Sequence, residues 1–228
     1  VGNDSEGVYE SGLGYTFVGA SGEIAHDLGT GTLFGSITVS GLNWVFNPDT
    51  QFHDEDTDAL SPATGAGALS PKSSMNGSYA TSDGPLSTFG PVTYSTANAL
   101  AVSQGSVAGT WSGGNLDAGV SIAVDSTGTF TGTTSGALIG TCSLAGTIVQ
   151  SQPGTAKNMY RVVMNVLDTA MTDDDACTLG NNLAYTGPAA IVLTPAGPLD
   201  SSNGFRNISL LIRTDSGSTL SVNLLKQT

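Results

Sequence analysis

Two imidazoles, His26 and His53, and two thiols, Cys142 and Cys177, are the side chains most able to do chemistry in this chain of 228 residues. A hydrolase triad needs a Ser or Cys nucleophile, a His base and an orienting acid within hydrogen-bond reach. His26 follows "GEIA" in a turn-like stretch, and His53 opens the acidic run "HDEDTD" (53–58). The strained Gly-x-Ser-x-Gly elbow that presents a serine is absent. Most of the carboxylates fall in loop-like stretches, where solvated charge is the ordinary role and a paired acid/base the special one. None of the Gly-rich patches carries the Gly-Lys-Ser or Gly-Lys-Thr of a phosphate loop. The expectation is a protein that is not an enzyme.

Metal binding is the next chemistry to weigh. Asp54, Asp56 and Asp58 alternate, so one side of a loop could present several hard oxygens to Ca2+. The run lacks the Gly at position six and the Glu at position twelve of an EF-hand, so solvated charges remain the alternative. "DDDAC" (173–177) is a second acidic run of the same kind. Two Cys and two distant His make a poor zinc set. In a Gly/Thr-rich acidic chain the two Cys suit one disulfide of an exported protein, the alternative being two buried thiols. Apart from calcium, no cofactor is expected.

Composition narrows the partners. The formal net charge is −13, with 6 Lys plus Arg against 19 Asp plus Glu. Six cations cannot build the basic face that nucleic acid requires, and an anionic membrane surface is disfavoured for the same reason. Residues 1–105 hold 11 acids and only Lys72 as a base; residues 106–228 hold 8 acids and 5 bases. Solubility accounts for that imbalance. No apolar run approaches the roughly 20 residues of a membrane span. A start at Val1 rather than Met reads as a processed or trimmed form.

The elements that would position these groups are strands. Val120, Ile122 and Val124 alternate with polar or small neighbours, the period of a half-buried strand. "DSTG" (125–128) is a tight turn, and Phe130 lies on the returning strand. "LIGTCSLAGTIV" (138–149) puts Cys142, Leu144, Gly146 and Ile148 on one face; "MYRVVMNVL" (159–167) does so with Tyr160, Val162, Met164 and Val166. "AYTGPAAIVLT" (184–194) is a strand in which Pro188 implies an edge, bulge or bend. "ISLLIRT" (208–214) and "TLSVNLLK" (219–226) form a last hairpin. With "VAGTW" (107–111) this makes eight strands, which predicts an eight-stranded up-and-down barrel over 105–228. Large inward residues such as Trp111, Phe130, Tyr160 and Met164 would fill its interior.

Residues 1–104 read as a β-rich half with a long acidic loop over 47–74. "GVYESGLGYTFVGA" (7–20), "TLFGSITV" (32–39), "NWVF" (43–46), "GSYATS" (77–82) and "FGPVTYS" (89–95) are its strands. "TANALAVS" (96–103) is a helical turn capped by Ser95 or Thr96 and links the halves. "GVYESG" (7–12) echoes "GTWSGG" (109–114), and Asp27 with "GTLFG" echoes Asp125 with "GTFTG", at an offset of about a hundred residues. Two related β units, or chance likeness of Gly/Thr-rich strands, would both account for the echoes. The fold class expected is all-β.

Through "AGTWSG…VDSTGTFTGTTSG…CSLAGTI", then "NMYRVVMNV" and a later Cys, the second half resembles bacterial surface lipoproteins and exported β-domain proteins, mostly of uncharacterised function. The likeness covers about residues 90–228 well and 7–46 loosely, and speaks to fold and export. Members commonly carry a lipid on an N-terminal cysteine, which this sequence lacks. "GTW" (109–111) also resembles the Gly-x-Trp of lipocalin-type barrels. That resemblance implies a Trp at the closed end beneath a basic side chain from the last strands, a role that Arg213 could match. The function expected is that of an exported cell-surface or outer-membrane-surface protein, structural or adhesive, a filament or matrix subunit with protein partners or its own copies. The alternative is a barrel that carries a small ligand.

Overall fold

Antiparallel strands dominate the computed structural model, which describes residues 4–82, 84–114, 118–170, 172, 175–194 and 205–227. The chain divides into two compact units, Val1–Asn98 and Ala99–Thr228. The division falls ahead of the boundary expected at 104/105. Val102 and Gln104 bond to the second unit, through Val102 N–H to Ala156 O and the Gln104 side chain to Ile148 O.

The second unit is the barrel that the alternation predicts. Strands β10 (Gly109–Gly114), β11 (Gly119–Val124), β12 (Thr129–Ser135), β13 (Cys142–Gln150), β14 (Tyr160–Asp168), β15 (Leu183–Thr194), β16 (Phe205–Arg213) and β17 (Thr219–Lys226) pair in sequence order and close, β17 against β10. Pro188, which has no N–H to donate, pairs in register with Arg161 of β14 and has no partner position on β16. The inward positions of β13 and β14 are the buried ones, Cys142, Leu144, Ile148, Tyr160, Val162, Met164 and Val166.

The first unit closes too, which composition concealed. Strands β1 (Gly7–Glu10), β2 (Tyr15–Val18), β3 (Glu23–Asp27), β4 (Gly31–Ser40), β5 (Asn43–Phe46), β6 (Gln51–Asp54), β7 (Ala59–Ser70), β8 (Ser74–Thr81) and β9 (Ser87–Tyr94) make nine segments. β5 pairs with Ile37–Ser40 of β4 and β6 with Gly31–Phe34, and both then pair with β7. They act as one stave interrupted at Asn47–Thr50, where Pro48 cannot serve a ladder. Counted so, this is an eight-stranded antiparallel barrel, closed by β3 on β4 and β1 on β9.

The long loop expected over 47–74 is therefore corrected to turns around β6 and β7. "ALSPATGAGALS" alternates with small residues, so its period is faint. A Cβ on Gly67 or Gly77 would come within 2.7 Å of the Trp44 ring, and one on Gly65 within 2.7 Å of Phe46. Glycines in these strands leave room for aromatic rings to lie flat on the sheet. His26 likewise sits within β3 rather than in a turn. The helical turn over 96–103 is a short 3-10 turn at Thr96–Ala99, with Ser95 Oγ accepting from Ala97 N–H, followed by a second at Gln104–Val107. Among the described residues no helix is long and apolar enough to cross a membrane.

Candidate functional site

The echoed motifs land on the same place in both barrels. Gly7-Val8-Tyr9 and Gly109-Thr110-Trp111 each open the first strand, and each first strand meets the last along the shortest ladder of its barrel among the described residues. Tyr9 pairs with Tyr94 and Glu10 with Thr93; Trp111 pairs with Lys226 and Ser112 with Leu225. Both glycines have positive φ, 143° and 125°, and a Cβ at either would meet the side chain arriving from the last strand, Tyr94 or Lys226.

Each aromatic is then latched in the same way. Tyr9 Oη donates to Ser5 O at 2.8 Å, and Trp111 Nε1 donates to Val107 O at 2.7 Å, four residues back in both cases. The Tyr94 ring stands edge-on to Tyr9 at 5.2 Å, while Lys226 Nζ lies 5.2 Å from the Trp111 ring centroid and donates to Ala108 O at 3.0 Å. The second pair of echoes does not align, because Asp27 precedes the β3–β4 turn and Asp125 the β11–β12 turn.

Trp111, Phe130, Tyr160 and Met164 come together in the core of the second barrel, each at most 4% exposed. Arg213 does not join them as the cation over Trp111. It ends β16 opposite Thr219, at the other end of the barrel from Trp111. Lys226 takes that place because β17 returns from the Arg213 end to finish beside β10. The Trp111 end is sealed by residues 100–108. Val102 and Val107 enter the core there. Gln104 bonds with Ile148 O and Gln150 N–H, and Tyr160 Oη donates to Ser103 O at 2.8 Å. Burial pushes the Tyr160 phenol up to about 12, so it stays a neutral donor.

A second amide clasp, which no local sequence pattern signals, lies nearby. Asn158, 4% exposed, donates from Nδ2 to Ile191 O at 2.6 Å and accepts from Ile191 N–H at 2.9 Å. Its side chain replaces a strand partner where β14 has not yet begun. Asn158→Ala leaves two buried backbone groups unpaired and is expected to cost about 2–4 kcal/mol, read as a lowered urea midpoint with an unchanged m-value.

At the opposite end Cys142 and Cys177 are disulfide-bonded. Thr141 N–H donates to Asp175 O and Thr178 N–H to Ile139 O, so the connection between β14 and β15 is tied to β13. Cys177 and Leu179 pack into the core. Of the run 173–177, Asp173 and Asp174 lie outside the described residues.

Asp54, Asp56 and Asp58 lie at the β6–β7 turn and do not converge on one point. Asp54 Oδ1 accepts from Asp56 and Thr57 N–H, which holds its carboxyl below the usual range, chiefly through Thr57. Asp58 Oδ1 meets His53 Nε2 at 2.8 Å, and Asp56 is exposed. Among the described residues no group of three His, Cys, Asp or Glu is placed to hold a metal ion.

The two imidazoles are both buried. His26 Nδ1 lies 2.6 Å from Thr16 Oγ1 and its ring packs on Phe89 at 4.7 Å. Burial lowers the His26 pKa to about 4, against a lesser opposing effect of Asp27. Between about pH 6.5 and 4 the unfolded chain thus binds a proton that the folded barrel refuses. The stability linked to His26 is whole above pH 6.5 and is lost as pH falls through that window, on the order of 3 kcal/mol. Urea titrations from pH 7 to 4 should show that slope, and His26→Asn should flatten it.

The chain matches no protein-family model, and no curated protein and no solved structure matches it.

Proposed function

We propose that this chain is an exported, non-enzymatic protein of the cell surface that acts through its exterior, as a structural or adhesion subunit of a filament or matrix. The observation that carries this reading is the filled interior of the second barrel. Trp111, Phe130, Tyr160 and Met164 occupy the space that a carrier would keep for its cargo. The disulfide suits an oxidising compartment outside the cytoplasm. Two closed barrels with both imidazoles buried suit a scaffold more than a catalyst. Partners would then be other proteins or further copies of this chain.

Electron microscopy of native material tests this. Regular fibres or lattices are expected; dispersed single particles that take up an apolar fluorescent ligand would overturn it. The small-ligand barrel is the second reading, and the Trp111–Lys226 pair at a sealed end favours it, since that is the arrangement implied by the lipocalin resemblance.

A further inference from the structure

Five of the chain's six cations belong to the second unit, and four of those stand at one end of it. Lys157 lies in the connection before β14; Arg161 and Arg206 are the second residues of β14 and β16; Lys226 ends β17. In an antiparallel barrel all four positions fall at the end where β10 begins. Among the described residues the one carboxylate at that end is Asp125, in the β11–β12 turn. The opposite end presents Asp168, Asp175 and Asp215 beside Arg213. The barrel is therefore polarised, cationic at one end and anionic at the other.

The cationic end carries more than charge. Arg161 and Arg206 are exposed, and neither has an ion-pair partner among the described residues. Arg161 stands opposite Val149 in the ladder, and Val149 is 39% exposed. Arg206 stands opposite Leu193, which is 51% exposed. A weakly hydrated guanidinium beside bare aliphatic surface is the composition of a protein interface rather than of a merely solubilising surface. Lys226 is already engaged with Trp111 and Ala108 O, and Lys157 lies in the connection before β14, so the two arginines are the cations set beside bare aliphatic positions of the ladder.

Building on the reading of the chain as an assembling surface subunit, we infer that this end of the second barrel, centred on Arg161, Arg206, Val149 and Leu193, docks the Asp168, Asp175 and Asp215 end of a second copy. The two surfaces differ, so the contact is heterologous. It propagates head to tail unless a ring closes it. The net charge of −13 opposes approach at long range, but at about 0.15 M salt charges beyond roughly 8 Å are screened and the facing ends dominate. In about 1 M salt the screening length falls to roughly 3 Å and the attraction fades.

The test is sedimentation velocity and negative-stain microscopy of the full chain in 0.15 M and 1 M NaCl. The wild type should form linear oligomers at the lower salt and fall back towards monomer at the higher. Arg161→Glu with Arg206→Glu should weaken association at least tenfold while leaving the circular dichroism spectrum unchanged. Adding Asp168→Lys, Asp175→Lys and Asp215→Lys to that chain should restore it, which no loss of folding could do. Assembly that persists in the double variant, or is indifferent to salt, overturns the docking mode and leaves the subunit reading standing. A wild type that stays monomeric in both salts overturns docking and reading together. If the double variant loses assembly, the five-fold variant fails to regain it and the wild type binds a heparin column, the end serves an anionic polymer and the inference fails.

Discussion

Trp111→Ala is expected to lower the stability of the second barrel by about 3–5 kcal/mol, the range for emptying a fully buried aromatic site. Trp111 has no exposed surface and sits where the barrel closes. The substitution also strands Val107 O, which loses the indole N–H, and leaves Lys226 without a ring to cover. The cation–π contact is the small part, about 0.5–1 kcal/mol at a partly exposed site. Lys226→Met should accordingly cost far less than Trp111→Ala, because it keeps the apolar stem over the indole. Denaturant titrations of the two variants separate the effects; equal losses would place the energy of the closure in the charge and not in the buried ring.

The second large effect is at the other end. Removing the disulfide with Cys142→Ala and Cys177→Ala should cost about 4 kcal/mol by the chain-entropy relation, given the sequence separation of 35. Calorimetry of the double variant against the wild type checks it. Because Cys142 has no exposed surface, reductant should act on the native protein slowly and on partly unfolded protein quickly. A loss well under 1 kcal/mol would mean that the Thr141–Asp175 and Thr178–Ile139 backbone bonds hold the connection unaided.

The second barrel was legible because Val120, Ile122 and Val124, or Tyr160, Val162, Met164 and Val166, alternate as β-branched or bulky residues against polar ones. The first barrel was not, for a physical reason. Its inward positions at Gly65, Gly67 and Gly77 are empty so that Trp44 and Phe46 can lie over them, and that removes the hydrophobic signal from β7 and β8. The Gly-x-aromatic echo at 7–9 and 109–111 was visible, while its purpose depended on a pairing across each barrel. Lys226 lies 115 positions from Trp111, and no local pattern distinguishes it from Arg213. Asn158 and Gln104 give no signal in the sequence, because an amide that stands in for a strand looks like any loop residue. The acidic run 53–58 looks like one feature in the sequence, yet strand pairing turns Asp58 to His53 and Asp54 to its own turn.

The chain has two tryptophans, and the fold allots one to each barrel: Trp44 against Phe46 and Phe89, Trp111 beneath an ammonium group. Each unit thus contains its own fluorophore in distinct surroundings. Exchanging Trp44 for Phe would leave emission that reports only on residues 99–228, and exchanging Trp111 for Phe would leave emission from the first barrel alone. The order in which the two units melt could then be followed in the intact polypeptide, with no dye attached.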